Sequence, residues 1–525
     1  MREDITDNPV NMHLLLWTAT SAVFVTCAIL TQVVYRLFFH PLCKYPGPRL
    51  GAITHWYATY FVAKGRFHTK TRELHLRYGP VVRYGPNSLS FDSPRAQQDI
   101  YGLRSNTKKP HEYCVFSASR SVPNTISAVE KDDYAFKRRA HTQFYYESSL
   151  KEVENRILDK VDTFVHLLGS PRAASPEHGE RNPWSLPRNM ANLCYWLTAD
   201  VITDLAWSGS SRMLETPKMR WLPTVMKLMS WRGMMCMFQP RIYHLKLDRF
   251  FLAPAWAKIL EAGKWAYQCA TDRLQKEGHI DQKDFFKEMI HPKKGQEFSM
   301  KDMWVETMLV MAAGSDTTST AIAATFFYLS HCPETLDRLA SEIRSTFADK
   351  NDIHLGPALN SCVFLHACIN EAMRLTPSVP NILPREVGAG GTTIDGAYVP
   401  AGTSVGGAHY ANHRRGDIFR NPDEYWPERW IVNPELGFTE DKVKEAKAAF
   451  HPFSTGPRTC VGWKLAWSEL TLSLARTVHA YDMKLADTPG CGSMPMGRAC
   501  AYPMQAYAVA STQGPNLQFR RRSDE

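Results

Sequence analysis

Near the C-terminus the chain reads Phe453-Ser454-Thr455-Gly456-Pro457-Arg458-Thr459-Cys460-Val461-Gly462, a cysteine closing a loop that contains glycine and proline. Trp463-Lys464-Leu465-Ala466-Trp467-Ser468-Glu469-Leu470 follows with the pattern of a helix. A cysteine thiolate is a metal ligand. Loop glycines let backbone N–H groups turn toward the sulfur, and the positive end of a following helix favours the anion. Phe453 can wall one side of a flat cofactor, and Arg458 can neutralise an anionic group on it. Haem, whose iron accepts a cysteine thiolate and whose propionates need cations, fits this set. A lone cysteine before a helix is more often a packing residue. The joint pattern F-x-x-G-x-R-x-C-x-G argues against that. At about one in twenty per position, chance yields it in roughly one chain in several thousand.

A second candidate lies upstream, in Ala312-Ala313-Gly314-Ser315-Asp316-Thr317-Thr318-Ser319-Thr320. It falls within a helical pattern that begins at the capping sequence Ser299-Met300-Lys301-Asp302 and runs to about Cys332, before Pro333. Gly, Ser, Asp and Thr are poor helix formers. Small residues admit a flat ligand close to the backbone, and a threonine hydroxyl can bond a carbonyl one turn earlier. An acid beside an alcohol, Asp316 and Thr317, can relay protons to bound oxygen. A helix crossing packed through small residues is the competing explanation; the cysteine loop favours the relay.

Other elements must position these two. Glu371-Ala372-Met373-Arg374 sets a carboxylate and a guanidinium on one helix face. Asn421 to Trp430 supplies Arg429 in a proline-bounded loop. Tyr78 to Phe91 reads as a hairpin, and the pattern from there to about residue 290 is mostly helical. Met226, Met229, Met234, Met235 and Met237 form an apolar run that suits a flexible substrate wall, a core helix or a membrane-dipping segment equally.

From Asn8 to Tyr35 there is no charged residue, and Leu14 to Val34 is long enough to cross a bilayer. Acidic residues precede the run and Arg36, Lys44 and Arg49 follow it, which predicts a lumenal tail and a cytosolic body. His40 to Pro48 holds three prolines and predicts a stiff connector. The expected organisation is a tail over 1–11, a transmembrane signal anchor over 12–35, a connector over 36–50 and a catalytic domain over 51–525. The chain of 525 residues has a formal charge of +10, which favours an acidic protein or lipid partner over nucleic acid, because its basic residues are dispersed. Twelve cysteines in this length do not make a disulfide scaffold, and a reducing, cytosol-facing environment fits them.

Taken in order and spacing, the Asp316-Thr317 helix, Glu371-x-x-Arg374, the Arg429 loop and the cysteine loop resemble the cytochrome P450 superfamily. The anchor and connector look like those of microsomal members, fungal secondary-metabolism monooxygenases in particular. The resemblance implies a mainly α fold with small β-sheets behind one N-terminal transmembrane helix, in the endoplasmic reticulum membrane and facing the cytosol. It implies haem b with Cys460 as axial thiolate, Phe453 on the thiolate side, and Arg458, Arg385 and Arg138 at the propionates. Glu371 and Arg374 would form a buried network with Arg429. Asp316 and Thr317 would be the catalytic proton relay. Where the family often has a tryptophan four residues before the propionate-binding arginine, this chain has Tyr134.

Electrons would come from NADPH-cytochrome P450 reductase or cytochrome b5, with Lys137, Arg139 and Lys464 as candidate docking residues. Met308, Met311, Ala312, Val379, Asn381, Ile382 and Leu383 would line a pocket for a hydrophobic small molecule, terpenoid or polyketide-derived. Alternatives are a non-oxygenating rearrangement, dehydration or coupling on the same fold, a non-catalytic haem sensor, and a membrane scaffold without cofactor.

Overall fold

The computed structural model describes residues 9–169, 184–279, 282–292, 297–486 and 496–522, so most of the expected lumenal tail lies outside the described residues. Helix α1, Pro9–Val34, continues as a π-helical turn over Tyr35–Phe39. Within it, Leu15–Phe39 is apolar and unburied, with mean hydropathy 1.8, and is long enough to cross a membrane. The connector behind it is held to the body. Arg83 donates its N–H to the Pro46 carbonyl (2.8 Å) and its guanidinium to the Arg36 carbonyl (2.9 Å). A Cβ on Gly47 would lie 2.2 Å from the Arg83 oxygen, so only glycine lets the two backbones approach.

The predicted hairpin forms as β1, Val81–Gly85, and β2, Ser88–Phe91. Strand β3 is Thr107–Lys108. The main helices follow: α2 at Lys131–Phe144, α3 at Met190–Trp207, α4 at Leu222–Phe238, α5 at Trp256–Gln275, α6 at Met300–His331 and α7 at Val363–Leu375. Strands β4, Arg385–Val387, and β5, Ser404–Gly407, complete a sheet of order β1-β2-β5-β4-β3, and α8 spans Trp463–Ala480. Strands β3 and β4 run antiparallel with Thr107 opposite Val387 and Lys108 opposite Glu386. The next position in that register sets Lys109 beside Arg385.

Helix α6 is the spine. Its 32 residues extend about 48 Å at 1.5 Å each. The predicted capping box is complete: Ser299 Oγ accepts from the Asp302 N–H (3.2 Å), and Asp302 accepts from the Ser299 N–H (3.1 Å). Pro333, first residue of the next helix, ends it. From Thr318 to His331 every residue is buried, so this half lies inside the core with α3, α7 and α8 against it.

Beneath α7, Glu371 has no exposed surface. It accepts from Arg374 Nε and Nη2 (both 2.9 Å), Arg429 Nε (2.8 Å), the Trp426 N–H (2.9 Å) and the Trp430 indole (3.0 Å). Arg374 also donates to the carbonyls of His413 (2.7 Å) and Pro422 (2.6 Å), tying the loop before the cysteine to α7. Burial alone pushes the Glu371 carboxyl up, but Arg374 and Arg429 outweigh it and hold it at about 2. A carboxylate depressed in the fold stabilises it above the ordinary glutamate range, and that contribution is lost as pH falls toward about 2. Glu371→Ala leaves two buried guanidiniums without their anion and should cost about 3–5 kcal/mol in denaturant unfolding. An unchanged unfolding midpoint would contradict the network's role.

Candidate active site

The cysteine loop is closed by its own backbone. The Cys460 N–H donates to the Phe453 carbonyl (2.9 Å), and the Thr459 hydroxyl donates to the same oxygen (3.1 Å). Ser454 and Gly456 take left-handed φ of 61° and 74° to make the turn. At Gly456 a Cβ would also lie 1.9 Å from the Tyr101 carbonyl oxygen, so the position excludes any side chain twice over. Cys460 keeps open surface, yet burial is the largest influence on its thiol and pushes it up. Both hold because the sulfur faces interior space rather than bulk water. A hydrogen bond from the Gly462 N–H and the charge of Arg138 oppose that rise.

Cations from four parts of the chain converge beside this loop. Arg138 of α2 donates to the Thr459 carbonyl (2.6 Å). Arg458 donates to the carbonyls of Ala128 (2.7 Å) and Val129 (3.2 Å), with its guanidinium 3.5 Å from the Tyr134 ring centre. Arg385, at the start of β4, donates to the Pro384 carbonyl (2.9 Å) and the Tyr113 hydroxyl (3.1 Å). Lys109 donates to the Ile126 carbonyl (2.6 Å) and lies 4.7 Å from the Tyr113 ring centre. Burial, then the charges of Arg385, Arg458 and Arg138, push Lys109 well below its usual range. Burial and the charges of Arg385 and Arg138 also lower Arg458. No ion pair among the described residues neutralises any of the four. Such a cluster suits a group carrying more than one negative charge.

The predicted alcohol and acid lie on α6. The Thr317 hydroxyl donates to the Ala313 carbonyl (2.7 Å), and the Thr317 carbonyl accepts from Ser378 Oγ (2.7 Å), on the segment leading to Arg385. The Asp316 carboxyl turns to α3, where Tyr195 lies. Burial pushes it up to about 7, with the Tyr195 phenol opposing the rise. Gly314 serves the competing explanation. A Cβ there would lie 2.6 Å from Ile202 Cγ1, so it is the close crossing of α6 over α3. The same stretch of helix thus packs against α3 and carries Asp316 and Thr317.

Arg138, Arg385, Arg458 and the loop bearing Phe453 and Cys460 therefore meet. Among the described residues no hydrogen bond or ion pair joins them to the side chains of Asp316 or Thr317. One expectation needs correction. Lys137 is buried and spends its charge on Asp302 (2.6 Å), so it cannot contact a docking protein; Arg139 is exposed and Lys464 pairs with Glu147 (3.0 Å). Asn381 donates to the carbonyls of Ala506 (3.2 Å) and Tyr507 (2.7 Å), so its amide nitrogen fastens backbone. Tyr134 donates to the Pro457 carbonyl (2.8 Å) and stacks on Arg458, so its hydroxyl fixes the cysteine loop. Sequence reasoning missed Lys109. Its only signal was register, since nothing in Lys108-Lys109-Pro110 distinguishes it from a solvated pair. A cleft of about 470 Å³ lined by Trp207, Trp265, Cys269 and Lys276 lies apart from all of these residues.

The family model for cytochrome P450 matches residues 41–497. The chain is 32% identical to the cytochrome P450 monooxygenase atnE of Emericella nidulans over 96% of its own length and 97% of that protein's. It is likewise 32% identical to the cytochrome P450 monooxygenase poxM of Penicillium oxalicum, over 97% of its length and 96% of the relative's. The cytochrome P450 monooxygenase cpaH of Aspergillus oryzae is 32% identical over 92% of this chain and 91% of its own. Gly456→Ala should open the cysteine loop and lower stability by more than about 1–3 kcal/mol, the usual scale of such backbone strain. A thermal midpoint equal to the parent's would show the loop tolerates a Cβ.

Proposed function

The chain belongs to the cytochrome P450 family and is a monooxygenase of that kind; from that premise we propose that Cys460 holds the iron of haem b and that Arg138, Arg385, Arg458 and Lys109 hold its propionates. The observation that carries this reading is the meeting of these mutually repelling cations, Lys109 and Arg385 buried and Arg138 and Arg458 half-buried, with no ion-paired carboxylate among the described residues, at a loop whose cysteine faces interior space. Arg138, Arg385, Arg458 and Lys109 would find their missing negative charge in two propionates, and Cys460 would be held as a thiolate by the charge of a bound iron. When bound, sulfur-ligated haem activates dioxygen, placing one oxygen atom in the substrate and releasing the other as water with two electrons from NADPH.

On α6, the Thr317 hydroxyl gives its hydrogen to Ala313 and leaves its oxygen lone pairs to accept a hydrogen bond. Asp316, held near about 7, keeps an exchangeable proton at its carboxyl near neutral pH, between Tyr195 and the helix backbone. Phe453 anchors the loop by accepting from Cys460 and Thr459 through its carbonyl. Met311 and Ile382 are buried apolar residues of the wall expected for a hydrophobic substrate, and the fungal sources of the relatives support a secondary metabolite, terpenoid or polyketide-derived.

Residues 12–35 act as signal anchor, 36–50 as connector and 51–525 as the cytosolic catalytic domain at the endoplasmic reticulum membrane. Exposed Trp56 and Tyr60, on a short helix packed against α4, and exposed Leu245, Phe250 and Phe251, in the segment that follows α4, support contact with a lipid surface. Electrons come from NADPH-cytochrome P450 reductase or cytochrome b5 on a face that includes Arg139 and Lys464.

Supplied with a matched reductase, NADPH and a metabolite extract, the enzyme should yield a product heavier by one oxygen, and Cys460→Ala should lose both that product and the carbon-monoxide spectrum of sulfur-ligated haem. Turnover without oxygen gain would overturn the monooxygenase reading. Thr317→Ala should consume NADPH but divert it to hydrogen peroxide; full coupling would remove Thr317 from the relay. Because Asp316 is protonated below about 7, coupling should fall as pH rises through that value, and Asp316→Asn should be low and flat. A parental pH profile in that variant would exclude Asp316.

A further inference from the structure

Segment 124–129, which leads into α2, is held from three directions. Within it, the Asn124 N–H donates to Ser127 Oγ (2.8 Å) and the Ser127 N–H to Asn124 Oδ1 (2.9 Å). From the cation cluster, Lys109 donates to the Ile126 carbonyl, and Arg458 to the carbonyls of Ala128 and Val129. From α6, Glu306 takes the rest. The Thr125 N–H donates to Oε1 (2.8 Å) and the Thr125 hydroxyl to Oε2 (3.0 Å). A two-point contact to a carboxylate fixes both the place and the tilt of the loop.

Glu306 has no exposed surface, and a buried carboxylate needs compensation. His141 Nε2 lies 3.0 Å from Oε2, and Lys137 Nζ lies 3.9 Å from Oε1 while its closer partner is Asp302. Those α2 contacts would suffice to dock α6 on α2. The contacts to Thr125 are separate, because they reach a loop that belongs to neither helix.

We infer that Glu306 is a positioning residue for the cofactor edge: it holds Thr125 so that the carbonyls of Ile126, Ala128 and Val129 keep Lys109 and Arg458 aimed where acidic groups bind. This consequence rests on the haem reading above, whereas the clamp itself does not. Releasing Thr125 frees the loop carbonyls to move. The two cations then lose their neutral supports, and each becomes a poorer partner for a propionate.

The test compares Thr125→Val, which removes the hydroxyl and keeps the shape, Glu306→Gln, which keeps the shape and removes the charge, and Thr125→Ser, which keeps the hydroxyl. Amide hydrogen exchange by mass spectrometry on the holoenzyme should show residues 125–129 exchanging about tenfold faster in Thr125→Val and Glu306→Gln. Haem transfer to excess apomyoglobin should speed several-fold in the same two variants. Thr125→Ser should match the parent in both measurements. Unchanged exchange at 125–129 would overturn the inference. So would an increase spread evenly over α2 and α6, which would mark Glu306 as a helix-docking residue. Should Glu306→Gln not fold, the two Thr125 variants decide alone. If the parent lacks the sulfur-ligated carbon-monoxide spectrum, the haem reading fails, and the exchange comparison still decides the clamp.

Discussion

Lys109, Arg138, Arg385 and Arg458 arrive from four separate parts of the chain and repel one another, and no carboxylate among the described residues forms an ion pair with any of them. Neutral dipoles hold each in place instead: the carbonyls of Ile126, Thr459, Pro384 and Ala128. That is an arrangement a fold maintains only when neighbouring structure over-determines it, because burying like charges is costly and a carbonyl compensates a cation incompletely. The aromatic rings of Tyr134, Tyr113 and Tyr101 against these cations supply further neutral support. Everything near the cysteine loop, from its glycine-only turn to the strand register, can be read as bringing these charges to one edge.

Below α7 the signs are reversed. Glu371 is one anion enclosed by two guanidiniums and two further donors, so its charge is more than satisfied within the protein. Arg374 then spends its remaining hydrogens on backbone carbonyls of the loops that precede the cysteine segment. The two networks divide the labour. The compensated one fixes the scaffold, and the uncompensated one leaves surplus positive charge beside the cysteine loop.

Helix α6 meets different neighbours along its length. Its N-terminal turns meet α2 through Asp302 and Glu306. Its middle turns cross α3 at Gly314, where the Thr198 hydroxyl also donates to the Ser315 carbonyl (2.9 Å). The acid and the alcohol occupy adjacent positions on that crossing, and their side chains find different partners: Tyr195 for the one, a carbonyl a turn earlier for the other. Of the two readings of these small residues, the packing seam is what Gly314 displays, while Asp316 and Thr317 sit beside it on successive faces of the helix.

What the linear chain determined was whatever depends on local spacing. The capped start and proline stop of α6, the hairpin at Val81–Phe91, the apolar N-terminal helix, the Glu371–Arg374 pair and the cysteine loop are all short-range patterns, and each was legible because its physics acts within a few residues. What only the tertiary structure decided was which charges meet and which are buried. Lys109 became a site residue through the pairing of β3 with β4, and Lys137 left the surface because Asp302 lies against it. Tyr134 gave its hydroxyl to Pro457, more than three hundred residues away in sequence. Charge, register and burial of this kind come from long-range packing, whose partners no local pattern of residues announces.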